Sequence, residues 1–224
     1  MNFEFLRSAQ TRRRLLRSGS LSDWDAFAAS WDRLAPDEYM ADGGRYRRLR
    51  HAVFSVSPSG IRRLAHQPHY QGIQYNPLNG GVERWFEPVE PAVGRGSALR
   101  AVIAFAAARF GAWDGKTRRW RVEVHQFRIE AKKGRAGRPT PEGPHRDGVD
   151  YVLALLVARR NVRHGRTTIA DAAGRPLGGF TLRRPLDAAL LDDRAVYHGV
   201  TPIAPLEPSR PGHRDVLVVT FRRR

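Results

Sequence analysis

The chain contains no cysteine. This excludes disulfides and thiolate metal sites, so any metal must rest on His, Asp or Glu. Lysine is nearly as scarce: of the 39 basic residues, only Lys116, Lys132 and Lys133 are not Arg. No apolar run is long enough to cross a bilayer, and the longest, Ala101 to Phe110, carries Arg109. The first nineteen residues (MNFEFLRSAQTRRRLLRSG) lack the apolar centre of a signal peptide. Together these absences predict a soluble, cytoplasmic protein with no membrane partner.

Acidic residues are also few. The formal charge of +17 raises the question of nucleic acid. The arginines are scattered, with small clusters at Arg12 to Arg14, Arg47-Arg48 and Arg222 to Arg224. None of these clusters has the interleaved aromatics of a base-stacking platform. Compositional bias explains such usage without a phosphate groove, and attraction for anionic small molecules remains compatible with it. At 224 residues and 41% hydrophobic, the chain is long enough for one sizeable core. We expect a single domain over 1–224, helical to about 115 and strand-rich from about 116.

What the chain does have is Pro144-His145-Arg146-Asp147-Gly148, followed about fifty residues later by His198. Two imidazoles and one carboxylate can occupy one triangular face of a metal ion and leave the opposite face open, the requirement of non-heme Fe(II) sites. The His-x-Asp pair alone is weak, because eight His and thirteen Asp produce such pairs by chance. Its setting strengthens it. A turn-rich approach, Arg138 to Gly143, delivers Asp147 to the start of the apolar run Val149 to Val157. A carboxylate at the mouth of a core needs a partner there. The alternative is a strand cap plus an unrelated core histidine.

Ser22 could cap a helix through Leu34, with Asp25 three residues on and Pro36 ending it. Residues from about Ser97 to Phe110 are apolar on nearly all sides, which predicts a buried helix. Strand-like segments then recur at Arg121–Ile129, Val149–Ala158, Arg166–Ala170, Gly178–Leu182, Ala189–Val200 and Asp215–Phe221, the spacing of an antiparallel sandwich or barrel. The first twenty or so residues and Ala131 to Pro139 are the segments expected to be least ordered.

Alternation assigns faces. If His145 and Asp147 point inward, so do Val149, Tyr151, Leu153 and Leu155. On the last strand Arg214 shares a face with Val216, Val218 and Thr220. A guanidinium there wants a bidentate anion such as a dicarboxylate, unless it sits at the solvated strand edge. Gln126 and Arg128 share a face with Val122 and Val124 and are candidates to hold substrate. Further candidates are Asn76, Arg84 (for a substrate carboxylate) and Tyr151 (pocket wall or core). His213 alternates away from Arg214 and is excluded. Asp192 and Asp193 are assigned to a turn.

The stretches PTPEGPHRDGVDYVLALLVARRNV, LDDRAVYHGVTPI and RDVLVVTF resemble the small 2-oxoglutarate/Fe(II) dioxygenases that include the L-isoleucine hydroxylases, a family of free amino-acid oxygenases. Upstream, YNPLNGGVERWFEP and VEVHQFRIEA are similar to the same family, so the resemblance covers most of the chain after about residue 45. It implies a mainly β fold with flanking helices (α+β), a double-stranded β-helix or cupin-like jelly roll packed by N-terminal helices. It further implies that His145, Asp147 and His198 bind Fe(II), that Arg214 binds the distal carboxylate of 2-oxoglutarate, and that O2 is consumed. The implied reaction hydroxylates or sulfoxidises a free L-amino acid or small derivative, with succinate and CO2 as coproducts.

Two departures stand out. The segment Asn161 to Thr168 (NVRHGRTT) carries basic residues where the family tends to have an acidic one. Val216 stands where many such enzymes have Ser or Thr, so a helper hydroxyl would come from Thr201 or Thr220. Two other readings stay open: the same chemistry on a nucleic acid or other macromolecule, and a non-catalytic metal-binding jelly roll.

Overall fold

An eight-stranded antiparallel sheet forms the spine of the molecule, a computed structural model describing residues 2–115 and 119–224. The strand order is Phe3–Leu6, Ala188–Asp192, Tyr151–Arg160, Gly212–Arg223, Trp120–Ala131, Arg47–Ser57 and Ala35–Pro36, with Gly60–Arg63 paired to Arg47–Ser57. A smaller sheet of Pro176–Phe180, Thr167–Ala170 and Tyr197–Val200 lies opposite, the jelly-roll arrangement. The sheet draws strands from both halves of the chain. The expected junction near 115 abuts residues 116–118, which lie outside the described residues.

Each long strand shows different chemistry on its two faces. On one face Val122, Val124, Tyr151, Leu153, Leu155, Leu217, Val219 and Phe221 pack with Phe27, Trp31, Leu99, Ile103 and Phe110 from the helices. The other face, with Glu123, His125, Val152, Ala154, Arg214, Val216 and Val218, looks across a cavity toward the small sheet. Helix Ser97–Asp114 is buried along most of its length, as its apolar composition predicts. Its N-terminus is capped from afar: the Asp23 carboxylate accepts from the Ala98 amide (2.8 Å) and the Ser97 hydroxyl (2.6 Å).

Several expectations change. The helix beginning near Ser22 starts at Trp24, runs to Ala29 and tightens into a 3-10 turn over Ser30–Arg33, with no side-chain cap of its own. Residues 3–18, within the segment expected to be least ordered, form a strand and a helix. Phe3–Leu6 pairs with Ala188–Asp192, and helix Ser8–Ser18 buries Thr11 and Leu15 beneath its arginines. Strand Arg47–Ser57 joins the main sheet within the half expected to be helical. The span Ala189–Val200 is two strands, separated by a turn at Asp193.

Tyr151 is on the helix side of the sheet, stacked on Phe110 at 4.8 Å. The alternation that assigned it to the pocket holds as far as Val149, which lines the cavity, and is lost where the irregular bend at 148–150 gives way to the strand. Gly148 adopts φ 76° within that bend. A Cβ at Gly148 would also meet the Tyr75 ring at 2.5 Å, so glycine answers two demands there.

Candidate active site

His145 and His198 face each other across a single antiparallel bridge, each amide donating to the other's carbonyl at 2.9 Å. Their rings lie 4.6 Å apart. Asp147 closes the triangle, with His145 Nε2 at 3.4 Å from Oδ1 and His198 Nε2 at 3.7 Å from Oδ2. One donor atom from each of the three lies within 4.8 Å of the others, a spacing that can hold one ion. The three residues predicted from sequence therefore converge.

The neighbouring groups fix how they present. The Gly143 carbonyl lies 3.0 Å from His145 Nδ1, so Nδ1 carries the proton and Nε2 turns its lone pair to the triangle. Glu142 Oε1 sits 3.3 Å from the same Nδ1. Asp193 is 1% exposed and accepts the amides of Asp147, Gly148 and Val149 at 2.9, 2.8 and 3.0 Å. It belongs to a turn, as expected, and that turn anchors the backbone of the loop that carries His145 and Asp147. Gln71 joins the loop less tightly, donating to the Asp147 carbonyl at 3.4 Å.

Charge is distributed to suit a cation. Burial works against the Asp147 carboxylate, but His145 and His198 outweigh it and hold the carboxyl well below its usual range. Burial pushes His198 down to about 4, the neutral form a metal requires. Burial also opposes the His145 imidazolium, yet Asp147 and Glu142 raise it to about 9. A cation in the triangle would take that proton's place.

Arg214 lines the same cavity with Val216, Val218 and Thr220, the face that alternation predicts. It is 5% exposed, its Nε has no partner, and among the described residues no carboxylate pairs with it. Burial, helped by Arg159, lowers its pKa to about 10. A buried, unpaired guanidinium is costly unless an anion arrives. Donor set and orphan cation together fit a ferrous ion with a dicarboxylate beside it.

The remaining candidates divide. Arg84 is 4% exposed in the cavity wall with Nε unpartnered, its one hydrogen bond among the described residues a 3.4 Å contact to Gln71 Oε1. Asn76 also lines the cavity, but its side chain is committed to Gln71 (3.0 Å) and to the Asn79 amide (2.8 Å). Gln126 and Arg128 point the other way. Gln126 donates to Ser30 Oγ on the helix side, and Arg128 forms a fork to Asp215 (2.7 Å to each oxygen) with Asp32 at 2.9 Å. Thr220 lines the cavity, whereas the Thr201 hydroxyl accepts the Arg166 amide outside it. The basic residues of the unusual segment, Arg163, His164 and Arg166, are exposed, while Thr167 reaches the cavity.

Fold and site thus define a jelly roll with a facial two-histidine, one-carboxylate set. The model of the 2OG-Fe dioxygenase family matches residues 28–220, and the chain belongs to this family. The protein is accordingly an oxidoreductase, and the family uses Fe(II), 2-oxoglutarate and O2. A 3(1)-hydroxy-L-isoleucine 4-dioxygenase of Pantoea ananatis is 22% identical, the match covering 98% of this chain and 89% of the relative. A bsmA homologue from Methylobium petroleophilum has a similar crystal structure, with TM-score 0.88, 39% identity, and coverage of 99% of this chain and 88% of that one. IDO from Bacillus thuringiensis shares the fold at TM-score 0.76 and 19% identity, over 100% of this chain and 94% of that one. No helix among the described residues is long and apolar enough to cross a membrane.

Proposed function

We propose that this enzyme oxidises a free L-amino acid or a small derivative, by hydroxylation or sulfoxidation, with His145, Asp147 and His198 as the iron ligands and Arg214 as the anchor for 2-oxoglutarate. The observation that carries this reading is the unpaired Arg214 guanidinium in the same cavity as the three ligands. Ferrous iron supplies O2 activation coupled to decarboxylation of 2-oxoglutarate, so that one oxygen atom enters succinate and the other the substrate.

The chain's own residues do the rest. Gly143 and Glu142 fix the His145 tautomer, and Asp193 holds the ligand loop. Arg214 forks onto the distal carboxylate and thereby orients the cosubstrate. Val152, Ala154, Val216 and Val218 give the cavity an apolar wall that limits water around the reacting atoms. Arg84, with a free Nε, is the partner we assign to a substrate carboxylate. A cavity of about 170 Å³ suits a small molecule, and the activity in the Pantoea relative's name supports an amino acid.

The test is a panel of free L-amino acids and simple derivatives incubated with iron, ascorbate and 2-oxoglutarate. Mass spectrometry reads the gain of one oxygen, and succinate is measured in parallel. One member should gain oxygen with matching succinate, and Asp147→Ala should abolish both while leaving the fold intact. Full turnover in Asp147→Ala would overturn the ligand assignment. Oxygen gain only on a nucleic acid or a protein would overturn the substrate class.

A further inference from the structure

A second group of side chains able to hold a metal has three members in the wall of the same cavity, His69, Glu123 and His125, with His51 buried beside them, and is not used in the chemistry above. His51, His69, Glu123 and His125 each offer a donor atom within 4.8 Å of all the others. We propose that these four residues form a second metal site, for a divalent cation of the zinc type, separate from the His145, Asp147 and His198 triangle.

The backbone already fixes three of the four. Glu123 and His125 are two apart on strand Trp120–Ala131 and so project from one face. His51 is the direct register partner of His125 on strand Arg47–Ser57. His69 comes from the short strand His69–Tyr70. Ring centroids are 4.7 Å apart for His51–His125 and for His69–His125, and 5.7 Å for His51–His69.

Glu123 Oε2 lies 3.2 Å from His51 Nε2 and 2.7 Å from His69 Nδ1. Four ligands at about 2.1 Å around a tetrahedral zinc are separated from one another by about 3.4 Å. The 3.2 Å pair is already near that value, and the 2.7 Å hydrogen bond opens by a few tenths of an ångström when an ion replaces its proton. Arg121 donates to the other carboxylate oxygen, Oε1, at 3.3 Å and leaves Oε2 directed at the imidazoles.

A hydrogen-bonded network alone accounts poorly for this group. Glu123 satisfies His51 and His69, but His125, 4% exposed, has its Nδ1 buried with no hydrogen-bond partner among the described residues. His51 Nδ1 is likewise buried without a partner. A buried polar atom left unpaired is costly, and a metal–imidazole bond to His125 would offset that cost. Burial also keeps His51 and His125 in the neutral, lone-pair-bearing form. Three imidazoles and one carboxylate, with no thiolate, suit zinc and similar borderline cations.

An ion there would act as a clasp. It would fasten His69, in the segment that carries Gln71, Asn76 and Arg84, to the two long strands beneath. The cavity wall assigned to substrate would then depend on a cation that takes no part in oxygen chemistry.

The test removes the first site to reveal the second. The full chain carrying Asp147→Ala and His198→Ala, stripped with chelator, is titrated with Co2+ and with Zn2+. One equivalent should bind, and bound Co2+ should show the intense visible bands of four-coordination. The same protein with His69→Ala or His125→Ala should bind at least tenfold more weakly. His69→Ala carries the test if His125→Ala does not fold, because its ring is partly exposed (18%). Proteolysis within residues 64–90 should quicken when the ion is removed. No binding by the doubly substituted chain, or binding unchanged by His69→Ala, overturns the proposal.

Discussion

Replacing Arg214 by Leu should have two effects of opposite sign. The guanidinium is 5% exposed and unpaired, and burial lowers its pKa from 12.5 to about 10. That fall corresponds to about 3 kcal/mol against the charged form. Arg214→Leu removes this burden and adds apolar contact with Val216 and Val218, so the protein without cosubstrate should melt several degrees higher. The same change deletes a fork of charge-assisted hydrogen bonds to 2-oxoglutarate. The net loss is on the order of 3 kcal/mol, about a hundredfold in Kd.

Thermal melts with ferrous ion under anaerobic conditions read both effects. At a 2-oxoglutarate concentration of about 100 Kd, the wild type should gain about 2.7 kcal/mol, or roughly 5–10 °C. The variant at the same concentration should gain only about 0.4 kcal/mol. A variant that melts lower without cosubstrate, yet keeps the full 2-oxoglutarate shift, would refute both the unpaired-charge argument and the anchor.

Asp193→Asn keeps the side chain's shape but can no longer accept the Asp147, Gly148 and Val149 amides together. Iron affinity should fall about 10–100-fold, read by titration under anaerobic conditions, with 2-oxoglutarate affinity little changed once iron is saturating. Arg128→Met should lower stability by about 3–5 kcal/mol in denaturant melts, because it strands the buried Asp215 carboxylate. KM for substrate should stay within twofold of wild type or thereabouts, since Arg128 faces the helices; a large rise in KM would return it to the pocket.

The convergence of His145, Asp147 and His198 was legible in sequence because the first two are a His-x-Asp pair and the third lies in a β-prone run. The place of Arg214 in the cavity wall was legible because Arg214, Val216, Val218 and Thr220 alternate onto one face of strand Gly212–Arg223. Faces failed elsewhere for physical reasons. On Trp120–Ala131, Val122 and Val124 were taken as the inward side, but they belong to the helix-packed core, and the cavity side carries Glu123 and His125. This strand supplies a polar stretch of a largely apolar cavity wall, which inverts there the usual rule that apolar residues face the middle. Strand Arg47–Ser57 opens with Arg-Arg-Leu-Arg, whose cations reach Asp37, Glu130 and backbone carbonyls, so its pattern does not look like a central strand. Helix Ser8–Ser18 went unseen because its six-residue core RRRLLR is mostly Arg, with only Leu15 fully inside.

The alternation of strand Tyr151–Arg160 separates two inventories of side chains along one strand. Tyr151, Leu153 and Leu155 answer to the helices, while Val152 and Ala154 answer to whatever enters the cavity. Specificity could therefore be remodelled at Val152, Ala154, Val216 and Val218 with the opposite packing layer left whole. A scaffold divided this way can acquire new substrates one wall residue at a time without first becoming fragile.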